Sequence, residues 1–363
     1  MSVLNVETAR LKALGAYWTA TEIAQQPDTW AALEADPEVR AWLETLLAVP
    51  KLRIILTGAG TSAYVGLTAA PLLTRQLGRL VEAISTTDLV ANPDQYLLPG
   101  VPTLLVSYAR SGNSPESVAA LELASQLCPG CHHLVISCNA KGALARLAAE
   151  EKGSRCLLMP PQTLDQSFAM TSSFSTMLLA TWLLFGASEG KDWAVAQGRQ
   201  LLAGALPALQ ALGQKPFKRV AFLGAGPLKG IATEAALKML ELSAGRVDAY
   251  AETPLGFRHG PKSMVDGDTL VVLLDSGETH SNRYDQDLFE ELERDGKAGA
   301  LLRSGDWLAG GAGDGWRALP SVLLAQLLAF YRSLALGISP DNPCPTGEVN
   351  RVVQGVRIHP FEG

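Results

Sequence analysis

The sequence predicts an α/β protein made of two similar domains, each a parallel sheet flanked by helices. Its 363 residues are too many for one ordinary core and fit two domains of average size. The stretch 52–60 returns in pattern at 218–226, with a basic start, an apolar strand and a Gly-Ala-Gly turn that opens a helix. Further apolar runs alternate with helical segments, which is typical of parallel strands buried on both faces.

The composition argues against several classes of function. Apolar residues make up 47% and charged residues 18%, and the net charge is −6 with an isoelectric point near 5.5. Nucleic-acid binding requires clustered Lys and Arg, so nucleic acid is not expected as a partner. The apolar stretches 177–186 and 321–336 are too short or too interrupted for a membrane span, and residues 1–13 lack the apolar run of a signal peptide. We therefore expect a cytoplasmic protein with reduced cysteines.

In chain order, the first predicted element is a helical segment at Val6–Gln25, within an N-terminal region 1–30 that could pack against a neighbour. The first domain, 31–212, has strands expected near 52–57, 101–107 and 134–137 and a helix at 117–127. Helical sequence at 193–212 ends near a Gly and Pro linker at 213–216. The second domain with a C-terminal tail, 213–363, has strands expected near 218–223 and 269–274.

Cys128-Pro129-Gly130-Cys131 is a CxxC sequence of the kind that can bind zinc or perform redox chemistry. Here a predicted helix runs into the motif and a strand leaves it, whereas redox cysteines lie where a helix begins and its dipole lowers the thiol pKa. A plain turn is the favoured interpretation, with zinc or redox chemistry as the alternative.

The first Gly-Ala-Gly turn, 58–60, continues as Thr61-Ser62 at a strand end. The backbone NH groups of such a turn and of the following helix form an anion site. The same residues fit the dinucleotide fingerprint, with Glu82 about twenty residues on as a ribose-binding acid. The second turn, 224–226, does not repeat that fingerprint.

The loop 107–116, with the sequence SYARSGNSPE, follows the next apolar strand and has Pro and Glu where a helix would start. Hydroxyl and amide groups at a helix N-terminus can donate several hydrogen bonds to one phosphoryl group. The loop therefore favours phosphate over a dinucleotide. For Ser114 alone, an ordinary helix cap is an equally good interpretation.

These features resemble the sugar isomerase (SIS) family. The resemblance rests on the paired turns, the loop 107–116, the stretch 234–243 and Arg258-His259-Gly260-Pro261, and it covers nearly the whole chain as two SIS domains. The chain is similar to the isomerase part of glucosamine-6-phosphate synthase, without the glutaminase domain. Through 257–262 and 350–356 it is more similar to the tagatose-6-phosphate ketose/aldose isomerase or galactosamine-6-phosphate deaminase group.

The resemblance implies a flavodoxin-like parallel sheet in each domain and a phosphate held mainly by the first domain. The residues that it assigns to the phosphate or the sugar are Thr61, Ser62, Arg110, Ser111, Gly112, Ser114, Thr171 and Ser172. Ala109 departs from the family, which often has Ser there, so one hydroxyl is either missing or supplied by Ser107.

Glu234, Lys238 and Glu241 fall at i, i+4 and i+7 of a helical pattern and share one face. A solvated ladder of ion pairs is one interpretation, and a charged stripe lining a cleft is the other, since the neighbouring residues are apolar. The resemblance makes Glu241 the base that moves a proton between C2 and C1 of the opened sugar. Lys238 would stabilise the enolate or enolamine oxygen, and Glu234 would orient Lys238.

His259 suits the opening of the sugar ring, because a histidine titrates near neutral pH. The resemblance implies that a neighbouring subunit supplies it, and hence a homodimer or higher homo-oligomer with shared sites; a structural turn residue is the alternative. Arg351 would partly replace the C-terminal catalytic lysine of the synthase. No metal or other cofactor is expected, because His280 and His359 show no ligand spacing with carboxylates.

The predicted function is conversion of a hexosamine 6-phosphate to a ketohexose 6-phosphate and ammonia. The substrate and product expected are galactosamine 6-phosphate and tagatose 6-phosphate. Simple aldose-ketose isomerisation of the sugar phosphate uses the same proton shuttle and is the nearest alternative. A non-catalytic SIS module that senses a sugar phosphate, and a dehydrogenase based on the 58–63 fingerprint, are the alternatives from other classes.

Overall fold

Two compact units make up the chain, and each is assembled from separate stretches of sequence. The computed structural model describes residues 1–151, 153–310 and 312–362. One unit combines 32–165, 172–188 and 347–363, and we call it the first-half unit. The other, the second-half unit, combines 1–31, 166–171 and 189–346. The predicted boundary at 212/213 treated each domain as continuous in sequence and stays an expectation.

Among the regular elements, helices separate the consecutive strands of both parallel sheets. In order they are β1 Ser2–Val3, β2 Val6–Glu7, α1 Thr8–Ala13, α2 Tyr17–Ala24, α3 Gln26–Ala32, α4 Pro37–Leu47, β3 Arg53–Thr57, α5 Thr61–Leu77, β4 Val81–Ala83, α6 Thr86–Ala91, α7 Pro93–Tyr96, β5 Thr103–Ala109, α8 Pro115–Leu127, β6 His132–Ser137, α9 Ala143–Glu150, β7 Arg155–Leu158, α10 Ser172–Leu184, α11 Lys191–Gly204, α12 Leu206–Gly213, β8 Arg219–Leu223, α13 Pro227–Leu242, β9 Asp248–Glu252, α14 Pro254–Phe257, β10 Thr269–Leu273, α15 Thr279–Asp295, β11 Ala300–Arg303 and α16 Asp314–Ala335. Short 3-10 turns occupy Pro161–Thr163, Pro261–Met264 and Ser304–Asp306.

The first-half sheet is parallel throughout, with strand order β4-β3-β5-β6-β7. This is the flavodoxin-like order, and it confirms the α/β class with a parallel sheet. Successive strands are added on one side of β3 and then on the other, so the order of the strands reverses between β3 and β5. Ligands of open parallel sheets bind at the carboxyl ends of the strands beside such a switch. The 58–60 turn follows β3 and the 107–116 loop follows β5, so both predicted phosphate segments lie at this edge.

The second-half sheet repeats the same order, β9-β8-β10-β11, again with parallel pairing. The two glycine turns match in backbone conformation: Gly60 has φ 55° and ψ −129°, and Gly226 has φ 55° and ψ −128°. Each therefore uses the left-handed half of φ, which favours glycine. The internal duplication predicted from the sequence is confirmed at the level of the fold.

The N-terminal segment is helical as predicted but begins with a short hairpin of β1 and β2. It packs within the second-half unit, where Thr19 donates to the Asp341 carboxylate through its backbone (2.8 Å) and its hydroxyl (2.7 Å). The long helix α16 is the core of this unit and is buried for nearly its whole length. By length and composition α16 could cross a membrane, but 89% of its most apolar window is buried inside the protein.

The CxxC segment forms a turn, as favoured from the sequence. α8 ends at Leu127, the Cys131 backbone NH donates to the Cys128 carbonyl (2.8 Å), and β6 begins at the next residue. Burial raises the pKa of the Cys131 thiol to about 12. Since redox and zinc chemistry both need a thiolate, this environment works against both.

Candidate functional site

Two hydroxyl side chains follow the 58–60 turn at the start of α5. Thr61 and Ser62 are the first residues of the helix and are 4% and 6% exposed. Glu82, the acid that a dinucleotide would require, instead forms a bidentate pair with Arg53, at 2.5 Å to Nε and 2.8 Å to Nη2. An anion at the helix N-terminus therefore suits this turn better than a ribose held by Glu82.

The 107–116 loop combines a left-handed glycine with a capped helix. Gly112 has φ 66°, and Ser114 caps α8, with its hydroxyl 3.4 Å from the Ser117 backbone NH and 2.6 Å from the Ser117 hydroxyl. Ser111 accepts a hydrogen bond from the Asn113 backbone NH at 3.3 Å. Ser107, suggested as a replacement for a missing hydroxyl, lies inside β5, and its buried Oγ has no hydrogen-bond partner among the described residues.

A buried carboxylate organises the segment before α10. Asp165 accepts hydrogen bonds from the Ser172 hydroxyl, the Ser173 hydroxyl (2.5 Å) and the Ser173 backbone NH (2.9 Å). The Arg351 guanidinium donates to the Asp165 carbonyl, and the Arg351 carbonyl accepts from Arg110 at 2.6 Å. Of the predicted site residues, Ser172 and Arg351 contact Asp165 in the first-half unit and Arg110 joins them through Arg351. Thr171 belongs to the second-half unit.

In the second-half unit, the acid and base residues on α13 form a buried ion cluster. Lys238 contacts Glu241 in a short hydrogen bond and lies 3.4 Å from Glu234. The side chains of Lys238 and Glu234 are fully buried, whereas that of Glu241 is 22% exposed. The solvated ladder is therefore the wrong interpretation. Buried charges of this kind cost desolvation energy and persist only when they are paired.

His259 lies in the exposed turn between α14 and the 261–264 turn of the second-half unit, and its backbone NH donates to the Gly256 carbonyl at 2.9 Å. The residues around it are tethered to α15. Arg258 pairs with Glu291 at 2.9 Å, and Lys262 contacts both Glu291 and Asp295, the latter at 2.6 Å. These contacts anchor the backbone on both sides of His259, which is itself exposed.

Sequence reasoning missed the two acids that hold these segments, Asp165 and Glu291. Asp165 carried no standard capping signal, because it lies seven and eight residues before Ser172 and Ser173, far from the N-cap position. Glu291 carries no local signal either, since its partners lie 33 and 29 residues away. Among the described residues, no group of three or more His, Cys, Asp or Glu side chains is placed to hold a metal ion.

Known proteins share the sequence and the architecture of this chain. The SIS domain profile matches residues 46–187. The D-galactosamine-6-phosphate deaminase AgaS of Shewanella sp. (strain ANA-3) is 49% identical over 99% of this chain and 96% of its own. The chain belongs to the AgaS family of SIS-domain proteins.

Solved structures extend the AgaS-family match to three dimensions. The tagatose-6-phosphate ketose/aldose isomerase from Escherichia coli is 41% identical, with a TM-score of 0.86 over 95% of this chain and 97% of its own. A protein of Clostridium novyi is 38% identical, with a TM-score of 0.91 over 99% of this chain and all of its own. AgaS-family membership thus accounts for both halves of the duplication and makes the chain a phosphosugar isomerase/deaminase enzyme.

Proposed function

We propose that this enzyme converts galactosamine 6-phosphate and water to tagatose 6-phosphate and ammonia. The observation that carries the proposal is the buried cluster on α13, in which one ammonium lies between two carboxylates and only Glu241 is partly open. The names of the AgaS-family relatives support the choice of an amino sugar phosphate.

The chemistry needs one base and one fixed cation. Glu241 removes the proton from C2 of the open-chain aldehyde, which leaves an enolamine, and returns a proton to C1 to give the imine at C2. Water then adds to the imine and ammonia leaves, so the products are the ketose phosphate and ammonia. Lys238 stabilises the negative oxygen at C1 while the proton is in transit, and Glu234 holds Lys238 in place.

Substrate binding in this proposal uses the first-half loops. The phosphate accepts hydrogen bonds from Ser62, Ser111 and Ser114, from the amides of the 58–60 turn and Gly112, and from Thr61 and Arg110 nearby. Thr171, Ser172 and Arg351 contact the sugar. The capped start of α8 and the buried Thr61 and Ser62 hydroxyls support this assignment, because such donors are fixed before the anion arrives.

Ring opening falls to His259, supplied by a second copy of the chain. The exposed imidazole on a backbone anchored through Arg258 and Lys262 supports a role outside its own subunit. A homodimer or larger homo-oligomer is therefore part of the proposal. The cytoplasm, where sugar phosphates are made and consumed, is the proposed location.

The deciding experiment is a coupled assay of ammonia release from galactosamine 6-phosphate, run beside glucosamine 6-phosphate. Ammonia released in step with tagatose 6-phosphate is the expected result. Interconversion of galactose 6-phosphate and tagatose 6-phosphate without any ammonia from either amino sugar would establish the plain isomerase instead. Binding of all these sugar phosphates without turnover would leave only the sensing module.

A further inference from the structure

The second half of the chain repeats the phosphate loop of the first half. Ser276-Gly277-Glu278-Thr279 follows β10, as Ser111-Gly112-Asn113-Ser114 follows β5. Gly277 lies 277 − 112 = 165 residues after Gly112, close to the spacing of the two Gly-Ala-Gly turns. Since β10 occupies the place of β5 in the sheet order, the two loops lie at corresponding positions of the two folds.

The two loops also share a local hydrogen bond. The Glu278 backbone NH donates to the Ser276 hydroxyl at 3.1 Å, and the Asn113 backbone NH donates to the Ser111 hydroxyl at 3.3 Å. Both loops then lead into a helix, α15 and α8. The second loop therefore has the parts of an anion cradle: a hydroxyl, backbone amides and a helix start.

In the second loop, these donors already hold an anion that belongs to the chain. The Asp314 carboxylate accepts from the Gly277 backbone NH at 2.6 Å and from the Ser276 hydroxyl at 2.9 and 2.8 Å. The Ser276 backbone NH donates to Asp285 at 2.8 Å. Asp314 is only 5% exposed, and burial raises its pKa. Among the described residues, no carboxylate contacts Ser111 or Gly112 in this way.

The backbone that carries Asp314 lies directly on the loop. A Cβ on Gly277 would come within 2.2 Å of the Ala312 carbonyl oxygen, so only glycine permits this approach. Gly277 also lies outside the left-handed region that Gly112 occupies. Gly277 is therefore needed for close packing against Ala312, whereas a Cβ on Gly112 would meet no atom closer than 3.5 Å.

We propose that Asp314 is a built-in substitute for phosphate that closes the second loop, so that each chain keeps a single phosphate site. The proposal rests on the proposed function, which assigns the phosphate to the first loop. Its consequence is that shortening Asp314 opens a second site for inorganic phosphate. A cavity of ≈ 410 Å³ already leads to Ser276 and Gly277, and Arg283, Arg303 and Arg317 line it.

The guanidinium groups that line this cavity are available to bind a phosphate that enters it. Arg317 donates to the Asp275 carbonyl at 2.9 Å, and Arg303 pairs with the Asp275 carboxylate at 2.8 Å. Removing Asp314 takes one negative charge out of the cluster and leaves these guanidinium groups in place. Phosphate in the opened cradle would then meet the donors that Asp314 used.

The test counts bound phosphate by equilibrium dialysis of the full chain against radiolabelled inorganic phosphate, with ionic strength held constant by chloride. One phosphate per parent chain and two per Asp314→Ala chain are expected. Asp287→Ala, an exposed acid on α15, is the matched control and should bind one. Two phosphates on the parent, or no more phosphate on Asp314→Ala than on the parent, would overturn the role of Asp314. None on the parent would count against the proposed phosphate site instead, and the difference between variant and parent would still decide about Asp314.

Thermal unfolding covers the case in which Asp314→Ala folds poorly. Phosphate should raise its unfolding midpoint by about 3 °C or more beyond the rise seen for Asp287→Ala, because a ligand that binds only the folded state stabilises it. An Asp314→Ala chain whose midpoint or folded yield gains nothing extra from phosphate would count against the proposal.

Discussion

At the scale of single residues, the proposed acid and base chemistry depends on where Lys238 lies. The ammonium is fully buried, and the contacts with Glu234 and Glu241 compensate for its lost hydration. Truncating either glutamate would remove one of the two partners of the Lys238 ammonium and leave a gap beside it. A neutral amide of the same shape is therefore a better probe of the base than a truncation.

Glu241→Gln keeps the size of the side chain and much of its hydrogen bonding but removes the proton acceptor. Substrate should still bind, while kcat falls by roughly 10²- to 10⁴-fold, the usual contribution of a positioned base. Exchange of the C2 hydrogen with deuterated water, followed by NMR on bound substrate, should be lost. The exposed Glu293→Gln is the control and should exchange at the parent rate. Undiminished exchange in Glu241→Gln would assign the base to another residue, with Glu234 tested next.

At the scale of elements, the start of α8 has two tasks. Ser114 caps the helix through the Ser117 backbone NH, and in the proposed function it also binds phosphate. Ser111 lies outside the helix and makes no cap to α8. The two serines therefore allow a comparison of phosphate binding with helix capping.

Ser111→Ala and Ser114→Ala should each raise KM, since a lost hydrogen bond to a charged group costs about 1.5–3 kcal/mol. Only Ser114→Ala should also lower the free energy of unfolding, by about 1 kcal/mol, because it removes a cap. Steady-state kinetics and urea unfolding measure the two effects. A Ser111→Ala enzyme with the parent KM, or a Ser114→Ala variant whose only defect is stability, would place the phosphate elsewhere.

At the scale of the whole molecule, the proposal that two subunits share a site predicts that activity depends on assembly. Mixed oligomers of His259→Ala and Glu241→Gln chains contain some sites with both intact residues, so part of the activity should return. Light scattering and exchange of tagged subunits establish that mixing has occurred. If the subunits exchange and the equal mixture stays inactive, each chain uses its own His259.

The duplication, the strand positions and the residues on one face of α13 could be predicted from the sequence, because they follow from local periodicity and from the repeated turn. The sequence could not show that Lys238 is fully buried, since a charged stripe on a helix can also face water. It also could not show that Glu291 anchors the His259 turn, because its partners are about thirty residues distant and share no motif. Long-range pairing of this kind depends on the folded arrangement.

The discontinuous second-half unit also affects how the chain folds during synthesis. The buried Gln26 amide donates to Gln326 at 2.7 Å, across 300 residues of sequence. A ribosome adding about 5–20 residues per second makes Gln326 roughly 15–60 s after Gln26. Until then the apolar sides of α2 and α3 have no α16 to cover them. The segment that carries Gln26 therefore reaches its native place only after α16 has been made, and its buried side chains stay open to chaperones until then.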